Sequence, residues 1–409
     1  MSIIREIPPT AGWPVNLGDI IASYGKSRKF DPDFEAVFSA YLGAMYSKAV
    51  NSGTAAFFLI LEALKLLSLR RTVIIPSFVC PLVPLAINRA GLKIEVCDIA
   101  PDRFDFDYAL LEKACSDNTD ILAITVAHIA GLPLDMERIK AIASRYGIFI
   151  IEDCAQSMGA VYQGIQSGSL GDFSFFSLCR GKGMTLYEGG IAVTRRDKFV
   201  QALDDAFRNL FNENKFNEAL KIFEIFGYWA FYRPMGFWYI FRLPNIYWRL
   251  RGRPLKAMIE EFSPDFEVHR ISDFRKKLAL QQFGRLEENI RRQRTKARFY
   301  IDRLSRLNNV KLITELPESI SNYPFITCLI EDAVKRDKIL PKLESSGLGF
   351  SRIYAKPVCD YDYLRGIVPV RDCPNARSIA MRHITLSTSV FLSDKDLVSV
   401  VELLKLCLR

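Results

Sequence analysis

Histidine, paired cysteines and an apolar leader are scarce or missing in this chain of 409 residues. It has three histidines and nine cysteines, and no two cysteines form a CxxC pair. Scattered thiols exclude a disulfide framework and predict reduced cysteines in a cytoplasmic protein. No histidine stands at ligand spacing, so we expect no metal site. The start, MSIIREIPPTAGWPV, carries an acid and prolines where a secretory signal needs a continuous apolar stretch.

The composition and charge describe a globular protein with an anionic partner. Apolar residues make up 49% of the chain and charged residues 25%, which is ordinary for a soluble protein that builds a sizeable core. The net charge of +9 predicts an acidic or phosphorylated partner. Charge alone does not separate a nucleotide from a nucleic acid or a membrane surface.

Residues 52–195 alternate short β-branched runs with helical patterns. The runs RTVIIP, KIEVCDI, ILAITVAH, GIFIIED, FSFFSL and GIAVTR predict strands, and AAFFLILEALKLL and LDMERIKAIASRYG predict helices. This alternation predicts an α/β fold with a mainly parallel sheet. His128, Asp153 and Lys182 come after three of these strands. Ligands of open α/β sheets bind at the carboxyl ends of strands, so the three side chains point to one crevice.

The whole chain divides into an arm, a large domain and a small domain. We predict an N-terminal arm over 1–25 and a large domain over 26–265, which contains an insertion at about 205–262. A linking helix and a small C-terminal α+β domain occupy 266–409.

Four segments define the predicted small domain. Helical periodicity extends over a long span from 272 to 307. Strand-like runs occur near 323–330 and 349–354, and DKDLVSVVELLKLCL over 394–408 predicts the last helix.

An anion site is the first candidate for chemistry. Ser52, Gly53 and Thr54 precede a strongly helical apolar run and should form its cap and first turn. The free N–H groups of that turn, at the positive end of the helix dipole, suit a phosphate. Taken alone, the same three residues are more commonly a simple cap.

A strand-end acid and a glycine-flanked lysine are the second and third candidates. Asp153 follows a buried-looking strand, where a carboxylate binds a metal, orients a base, pairs with a protonated ring nitrogen or only caps a helix. Lys182 stands between Gly181 and Gly183 and two residues after Arg180. Apolar surroundings and a neighbouring cation lower the pKa of an imine-forming lysine. The alternative is a mobile surface lysine in a glycine-rich turn.

One cofactor requires all three features in this order. Asp153 lies 29 residues before Lys182, and the phosphate site lies about 100 residues before Asp153. Pyridoxal 5′-phosphate needs a lysine for its aldehyde, an acid for its pyridine nitrogen and a helix start for its phosphate. The combination predicts a pyridoxal-phosphate enzyme.

The chain resembles the DegT/DnrJ/EryC1/StrS family of pyridoxal-phosphate aminotransferases, known for aminating keto sugars linked to nucleotides. The segments SGTAA, VIIPSFVCP, EDCAQSMGA, GSLGDFSFFS and KGMTLYEGG follow the family pattern in order and spacing. The resemblance extends over nearly the whole chain except 205–262. It implies the fold-type-I architecture, with a large seven-stranded sheet domain, a smaller C-terminal domain and a homodimer.

The resemblance also implies roles for individual residues. Lys182 would form the Schiff base and move the proton, and Asp153 would pair with the ring nitrogen. The remaining cofactor contacts would come from Ser52, Gly53, Thr54, Phe78, Val79, Gln156 and Ser177. Members that dehydrate their substrate replace the lysine. This chain keeps it, which favours transamination.

Two segments depart from the family pattern. In VHRISD, Val268 replaces an asparagine that reaches the partner subunit's cofactor phosphate, while Arg270, Ser272 and Asp273 match; His269 or Arg270 is the substitute. The segment RIYAKPV matches a substrate-side pattern but lacks the histidine that usually follows it. The substrate candidates are therefore His128, His269, Arg270 and Tyr354.

Residues 223–256 are rich in aromatics and contain no acid between 225 and 259. Their prolines and arginines exclude a membrane-spanning helix. One interpretation is a helical flap packed on the large domain or across a dimer interface. The other is a membrane-surface element at the inner face of the membrane. The residues that would make this contact are Trp229, Trp238, Trp248, Arg233, Arg242 and Arg249.

Three function classes follow. The first is an aminotransferase that moves an amino group from Glu or Gln to a keto sugar, most simply a nucleotide-linked one. The second is an enzyme of the same fold that acts on a lipid-linked or other amphipathic carbonyl compound. The third is a non-catalytic scaffold or sensor, which would not need Lys182, Asp153 and Gln156 together. None of the three requires a nucleic acid.

Overall fold

A mixed sheet of nine strands carries the larger part of the molecule. The computed structural model describes residues 4–25, 32–253 and 261–409. The strands of these residues are β1 Tyr46–Val50, β2 Thr72–Pro76, β3 Lys93–Cys97, β4 Ile121–Ala127, β5 Phe149–Asp153, β6 Val161–Tyr162, β7 Ile165–Gln166, β8 Phe173–Ser177, β9 Gly190–Thr194, β10 Asn212–Glu213, β11 His269–Arg270, β12 Val310–Ile313, β13 Ser319–Ile320, β14 Phe325–Ile330 and β15 His383–Ser387.

The order of the large sheet is β10-β11-β1-β9-β8-β5-β4-β2-β3. Strands β3, β2, β4, β5 and β8 are parallel, whereas β9 is antiparallel to both β8 and β1. The predicted α/β fold is therefore confirmed, and the two-residue strands β10 and β11 extend the expected seven strands to nine. All six predicted strands form, but β1 was not predicted.

Helices cover the sheet and build the rest of the chain. Those of the described residues are α1 Leu17–Ser23, α2 Phe34–Leu42, α3 Gly53–Leu67, α4 Leu82–Arg89, α5 Tyr108–Asp117, α6 Met136–Tyr146, α7 Asp197–Leu210, α8 Lys215–Phe231, α9 Pro234–Phe237, α10 Leu243–Leu250, α11 Asp273–Phe283, α12 Leu286–Leu304, α13 Ala333–Glu344, α14 Pro374–Arg382 and α15 Asp394–Leu408. A short π-helical stretch, Trp238–Arg242, joins α9 to α10, and single 3₁₀ turns occupy Ile129–Gly131, Val358–Asp360 and Asp362–Leu364.

Helix α3 shows how the local sequence sets the site. The Ser52 hydroxyl accepts a 3.0 Å hydrogen bond from the Ala55 amide and so caps the helix. Most of its side chains are buried, because the helix is apolar on nearly every face and packs among the sheet, α4 and α7. The first turn of α3 is thereby fixed beside the sheet.

The C-terminal part forms a second sheet of three antiparallel strands, β12-β14-β15. The long helical span divides into α11 and α12 around Gly284, and the predicted last helix is α15. The strand expected at 349–354 is wrong. Gly349 takes a φ of +80°, which is incompatible with an extended strand, and only Ser351 pairs with Thr385. The domain boundaries themselves stay a prediction.

Helices α8, α9 and α10 form one layer against the large domain. Glu218 of α8 accepts hydrogen bonds from the buried Arg275 guanidinium and from the Ser272 amide. The N-terminal arm joins the same layer, because the Tyr228 hydroxyl donates to the Trp13 carbonyl at 3.1 Å. Among the helices that the structure describes, none has the length and apolar content that a membrane crossing needs.

Candidate active site

Three neighbouring parallel strands end at the same edge of the sheet. Asp153, the last residue of β5, lies in register with Ala127 of β4 and Phe175 of β8. His128 directly follows β4, and Ser177 is the last residue of β8. The strand ends therefore bring His128, Asp153 and Ser177 together, as the sequence predicts.

A cavity of about 980 Å³ opens at this edge. Of the predicted site residues, it is lined by Ser52, Gly53, Thr54, Val79, His128, Asp153, Gln156, Ser177, Lys182 and Tyr354. The N-terminal arm contributes Thr10, and the turn after Lys182 contributes Tyr187 and Glu188. Thr10 reaches the cavity through a contact distant in the chain, whereas Tyr187 and Glu188 belong to the same segment KGMTLYEGG as Lys182.

The first turn of α3 lies against the end of β8. A Cβ on Gly53 would approach the Ser177 Cβ to 2.9 Å, so a larger residue would push the helix start away from the strand. Amide groups of this turn and the Ser177 hydroxyl therefore face one part of the cavity. This is the donor set that binds a phosphate.

Asp153 is a buried carboxyl whose charge is incompletely compensated. It is 8% exposed, and its Oδ1 accepts a 3.0 Å hydrogen bond from the Ala155 amide. Burial raises the pKa of Asp153, and the Ala155 hydrogen bond and the charge of Lys182 act against this rise. A cationic group in the cavity would stabilise the carboxylate.

Lys182 lies in a turn that the N-terminal arm fixes. Gly181 takes a φ of +77°, which favours glycine, and its carbonyl accepts a 2.7 Å hydrogen bond from the Thr10 hydroxyl. Lys182 is half-buried and lines the cavity. In the described ranges, no side chain forms a hydrogen bond or an ion pair with its ammonium group. The amine is therefore available to a ligand.

Gln156 and Tyr354 link the two sheets across the cavity. The Gln156 Oε1 accepts a 2.8 Å hydrogen bond from the Ala130 amide, and its Nε2 donates to the Tyr354 hydroxyl at 3.4 Å. These contacts fix the amide side chain in one orientation. Tyr354, a predicted substrate residue of the C-terminal part, thus lines the cavity next to a predicted cofactor residue.

His128 lines the cavity, but both of its ring nitrogens are occupied. Nε2 is 3.0 Å from Glu152, and Nδ1 accepts from the Leu134 amide. Glu152 also accepts from the amides of Gly168, Leu170 and Gly171. Burial alone would raise the pKa of Glu152, yet these hydrogen bonds outweigh it and lower the pKa. His128 therefore anchors Glu152, and its contact with substrate stays a prediction.

Phe78 is not among the residues that line the cavity, and its contact with the cofactor stays a prediction. Its ring stacks on Phe104 at 5.8 Å and meets Tyr354 and His383 edge-on. Phe78 is fully buried, whereas Val79 faces the cavity. The sequence predicts a cofactor contact for both residues, and neighbouring side chains after β2 point to different sides of the chain.

His269 and Arg270 lie in β11, the second strand from the edge of the large sheet, outside the cavity of their own chain. The Arg270 Nε donates to the Phe211 carbonyl at 2.7 Å, and its guanidinium lies over the Phe207 ring. The His269 Nδ1 lies 3.0 Å from the Arg270 carbonyl oxygen. Both residues support the sheet edge in this structure, and their contact with substrate stays a prediction.

The inserted layer places its tryptophans differently from the membrane hypothesis. Trp229, Trp238 and Trp248 are only half-exposed, Arg233 is exposed, and Arg242 donates to the Glu344 carbonyl at 3.0 Å. The side chain of Arg249 and residues 254–260 lie outside the described residues. The most exposed apolar side chains of the layer are instead Phe216, Phe223, Met235 and Leu250.

Fold and cavity together define a pyridoxal-phosphate-dependent transferase of the α/β class. A profile of the DegT/DnrJ/EryC1/StrS aminotransferase family matches residues 20–222 and 267–405. The chain belongs to this family. The match omits 223–266, which contains the aromatic stretch 223–256.

Individual relatives agree with this assignment. The chain is 34% identical to the dTDP-3-amino-3,6-dideoxy-alpha-D-galactopyranose transaminase of Aneurinibacillus thermoaerophilus, over 46% of this chain and 51% of that protein. It is 26% identical to the spore coat polysaccharide biosynthesis protein SpsC of Bacillus subtilis, over 90% and 87%. The sugar aminotransferase CalS13 of Micromonospora echinospora has the same fold, with a TM-score of 0.75 and 19% identity over 98% of this chain and 99% of that chain.

The cavity fits the cofactor of the family on three independent observations. A helix start and a serine hydroxyl converge where a phosphate would bind, burial of a carboxyl favours a cationic partner, and a half-buried amine has no hydrogen-bond or ion-pair partner among the described residues. When bound, pyridoxal phosphate supplies an aldehyde that accepts an amino group and a ring that withdraws electrons.

Proposed function

We propose that this protein transfers an amino group from glutamate or glutamine to a keto sugar. The single observation that carries this proposal is the unpaired Lys182 amine beside the buried Asp153 in a chain of this aminotransferase family. Nucleotide-linked keto sugars are the first substrates to test, because a relative is a transaminase of a dTDP-linked sugar.

Each residue has a proposed role. Lys182 holds the cofactor and moves the proton, and Asp153 pairs with the protonated ring nitrogen. The amides of Gly53 and Thr54, with the Ser177 hydroxyl, bind the phosphate. Ser52 caps the helix that presents these amides. Gln156 orients the ring, and Tyr354 contacts the substrate from the C-terminal part, since its hydroxyl lies against Gln156.

The first half of the reaction gives a direct test. Adding L-glutamate to the cofactor-loaded protein is expected to replace the visible absorption of bound pyridoxal phosphate by that of the amino form, with release of 2-oxoglutarate. A keto sugar substrate is then expected to restore the first spectrum. If no amino acid changes the spectrum of the loaded protein, transamination is contradicted.

We also propose a homodimer whose partner adds positive charge near the phosphate. Among the described residues that line the cavity, the only cations are Arg180 and Lys182, and Lys182 has another role. A phosphate at α3 therefore gains from a cation of a second chain. Light scattering is expected to give twice the chain mass of 46.6 kDa. A protein that scatters as a monomer and binds pyridoxal phosphate as tightly as a dimer does contradicts the proposal.

A peripheral contact between residues 223–256 and a membrane is a further part of the proposal. It is supported by the exposed apolar side chains of the layer and by the exposed Arg233, Arg251 and Arg253. Sedimentation with vesicles of anionic lipid, reduced in a variant with Arg233→Glu and Arg251→Glu, is the expected result. Recovery of the whole wild-type protein in the supernatant contradicts the contact.

A further inference from the structure

The segment that the family profile omits forms one side of the active-site cavity. Among its described residues, eight aromatic side chains line the cavity, and we call them with Ile240 the aromatic wall. Its members are Phe223, Tyr228, Phe231, Tyr232, Phe237, Ile240, Phe241, Phe262 and Phe266. The family profile covers the lysine turn but not the residues of the wall.

Stacked rings connect the wall to the lysine turn. Tyr187, five residues after Lys182, meets Tyr228 edge-on at 6.3 Å, and Tyr228 stacks on Tyr232 at 4.2 Å. The series continues to Phe237 at 5.5 Å, and Phe237 stacks on Phe241 at 4.8 Å. An apolar surface therefore runs from the reacting amine into the inserted helices.

The wall is held firmly on the molecule. Besides the Glu218–Arg275 ion pair, Lys221 of α8 contacts Glu188 at 2.7 Å and Glu224 at 2.9 Å. The backbone of the N-terminal arm joins it as well, because the Glu6 amide donates to the Pro234 carbonyl at 2.9 Å. A surface with these anchors keeps its shape without a ligand.

The wall contributes no cation that would hold a diphosphate. The described lining residues of 223–266 include no lysine or arginine, and of their two acids Glu224 is paired with Lys221 while Asp265 is exposed. An uncharged apolar group needs no cation and buries its surface against the rings.

The outer end of the wall is accessible from solvent. Phe223, Phe231 and Ile240 line the cavity and are also 74%, 46% and 46% exposed. The wall therefore continues from the cavity to the surface, so a group longer than the cavity can extend outward along it.

We propose that the keto sugar substrate carries a hydrocarbon group, which the aromatic wall binds while the sugar lies next to Lys182. The sugar part of this inference rests on the proposed function, whereas the hydrocarbon part rests on the wall. The wall then determines which keto sugars the protein accepts.

Alkyl glucosides of increasing chain length test the inference by calorimetry on the cofactor-loaded protein, below their micelle concentrations. Octyl β-D-glucopyranoside is expected to bind at least about 10-fold more tightly than the methyl glucoside, with the hexyl compound between them. UDP-glucose is expected to bind more weakly than the octyl compound. No gain with chain length, or tighter binding of UDP-glucose, overturns the inference.

Two matched variants locate the binding. Phe223→Ser with Ile240→Ser changes two exposed residues of the wall and is expected to lower octyl glucoside affinity about 5-fold. Phe216→Ser with Leu250→Ser changes two exposed residues of the same layer outside the cavity and is expected to leave the affinity unchanged. Equal losses in both indicate surface adsorption, and a changed oligomeric mass in the first indicates an interface between copies. Either result overturns the inference.

These results are separable from the proposed function. The glutamate half-reaction of the wild type reports on amino transfer without any sugar. If the half-reaction fails while glucoside affinity rises with chain length, the aminotransferase proposal is contradicted and the role of the wall is supported. If the half-reaction succeeds and affinity does not depend on chain length, only the role of the wall is contradicted.

Discussion

Lys182→Ala is expected to lower aminotransferase turnover by about 10³-fold or more, because one side chain is both the nucleophile and the proton carrier. Stability is expected to change by less than about 0.5 kcal/mol, since the ammonium has no partner in the described structure whose loss would cost free energy. A stopped assay of turnover measures the first effect, and thermal unfolding measures the second.

Two controls distinguish covalent chemistry from charge. Lys182→Arg keeps the positive charge next to Asp153 but offers no amine that forms an imine, so it is expected to be as inactive as the alanine variant. Lys198→Ala removes an exposed lysine of α7 and is expected to retain full activity. Substantial turnover in Lys182→Arg contradicts the assigned role.

Asp153→Asn is expected to lower turnover by about 10²-fold or more, because the neutral amide cannot stabilise a protonated ring nitrogen. It is also expected to stabilise the cofactor-free protein at neutral pH. Burial raises the pKa of Asp153, so the acid contributes stability below its unfolded pKa and loses that contribution as the pH rises through the folded pKa. Asparagine has no charge to lose.

The pH dependence of cofactor binding follows from the same shift. As the pH falls through the raised pKa of Asp153, the carboxyl gains a proton and no longer attracts a cationic ring. Wild-type affinity for pyridoxal phosphate is therefore expected to fall on acidification through this range more steeply than that of Asp153→Asn. If the affinity of both proteins for pyridoxal phosphate falls equally as the pH is lowered, this account is contradicted.

Glu152→Gln is the matched control on the same strand. Its carboxylate is satisfied by His128 and backbone amides, and its pKa is lowered. The substitution is expected to destabilise the protein by about 1–3 kcal/mol, since it weakens buried hydrogen bonds. Adjacent acids therefore have opposite expected effects on the cofactor-free protein, and thermal unfolding at pH 8 distinguishes them.

The catalytic part of the site could be predicted because its members stand at the ends of local patterns. Asp153 and Ser177 end strands with clear β-branched or aromatic runs, and Gly53 starts a helix with a clear cap. Parallel strands bring such ends to one edge of a sheet, so chain order was enough. The strand β1 was missed because YSKAV has one aromatic and one β-branched residue and therefore shows no run of either kind.

The rest of the site depends on contacts between residues that are far apart in the sequence. Thr10 holds the carbonyl of Gly181 across 171 positions, and Tyr228 reaches the arm across 215, so no local pattern reports either contact. The sequence shows that 223–256 is rich in aromatic residues, but it does not show what their rings contact. Apolar rings that line a cavity and rings that contact a lipid have the same composition.

The most direct test of the central claim is peptide mass analysis of the cofactor-loaded protein after reduction with sodium borohydride. Reduction fixes the cofactor to the amine that holds it. The account predicts a pyridoxyl group on the peptide that contains Lys182 and none on the corresponding peptide of Lys182→Arg. A pyridoxyl group on another lysine, with Lys182 unmodified, would contradict it.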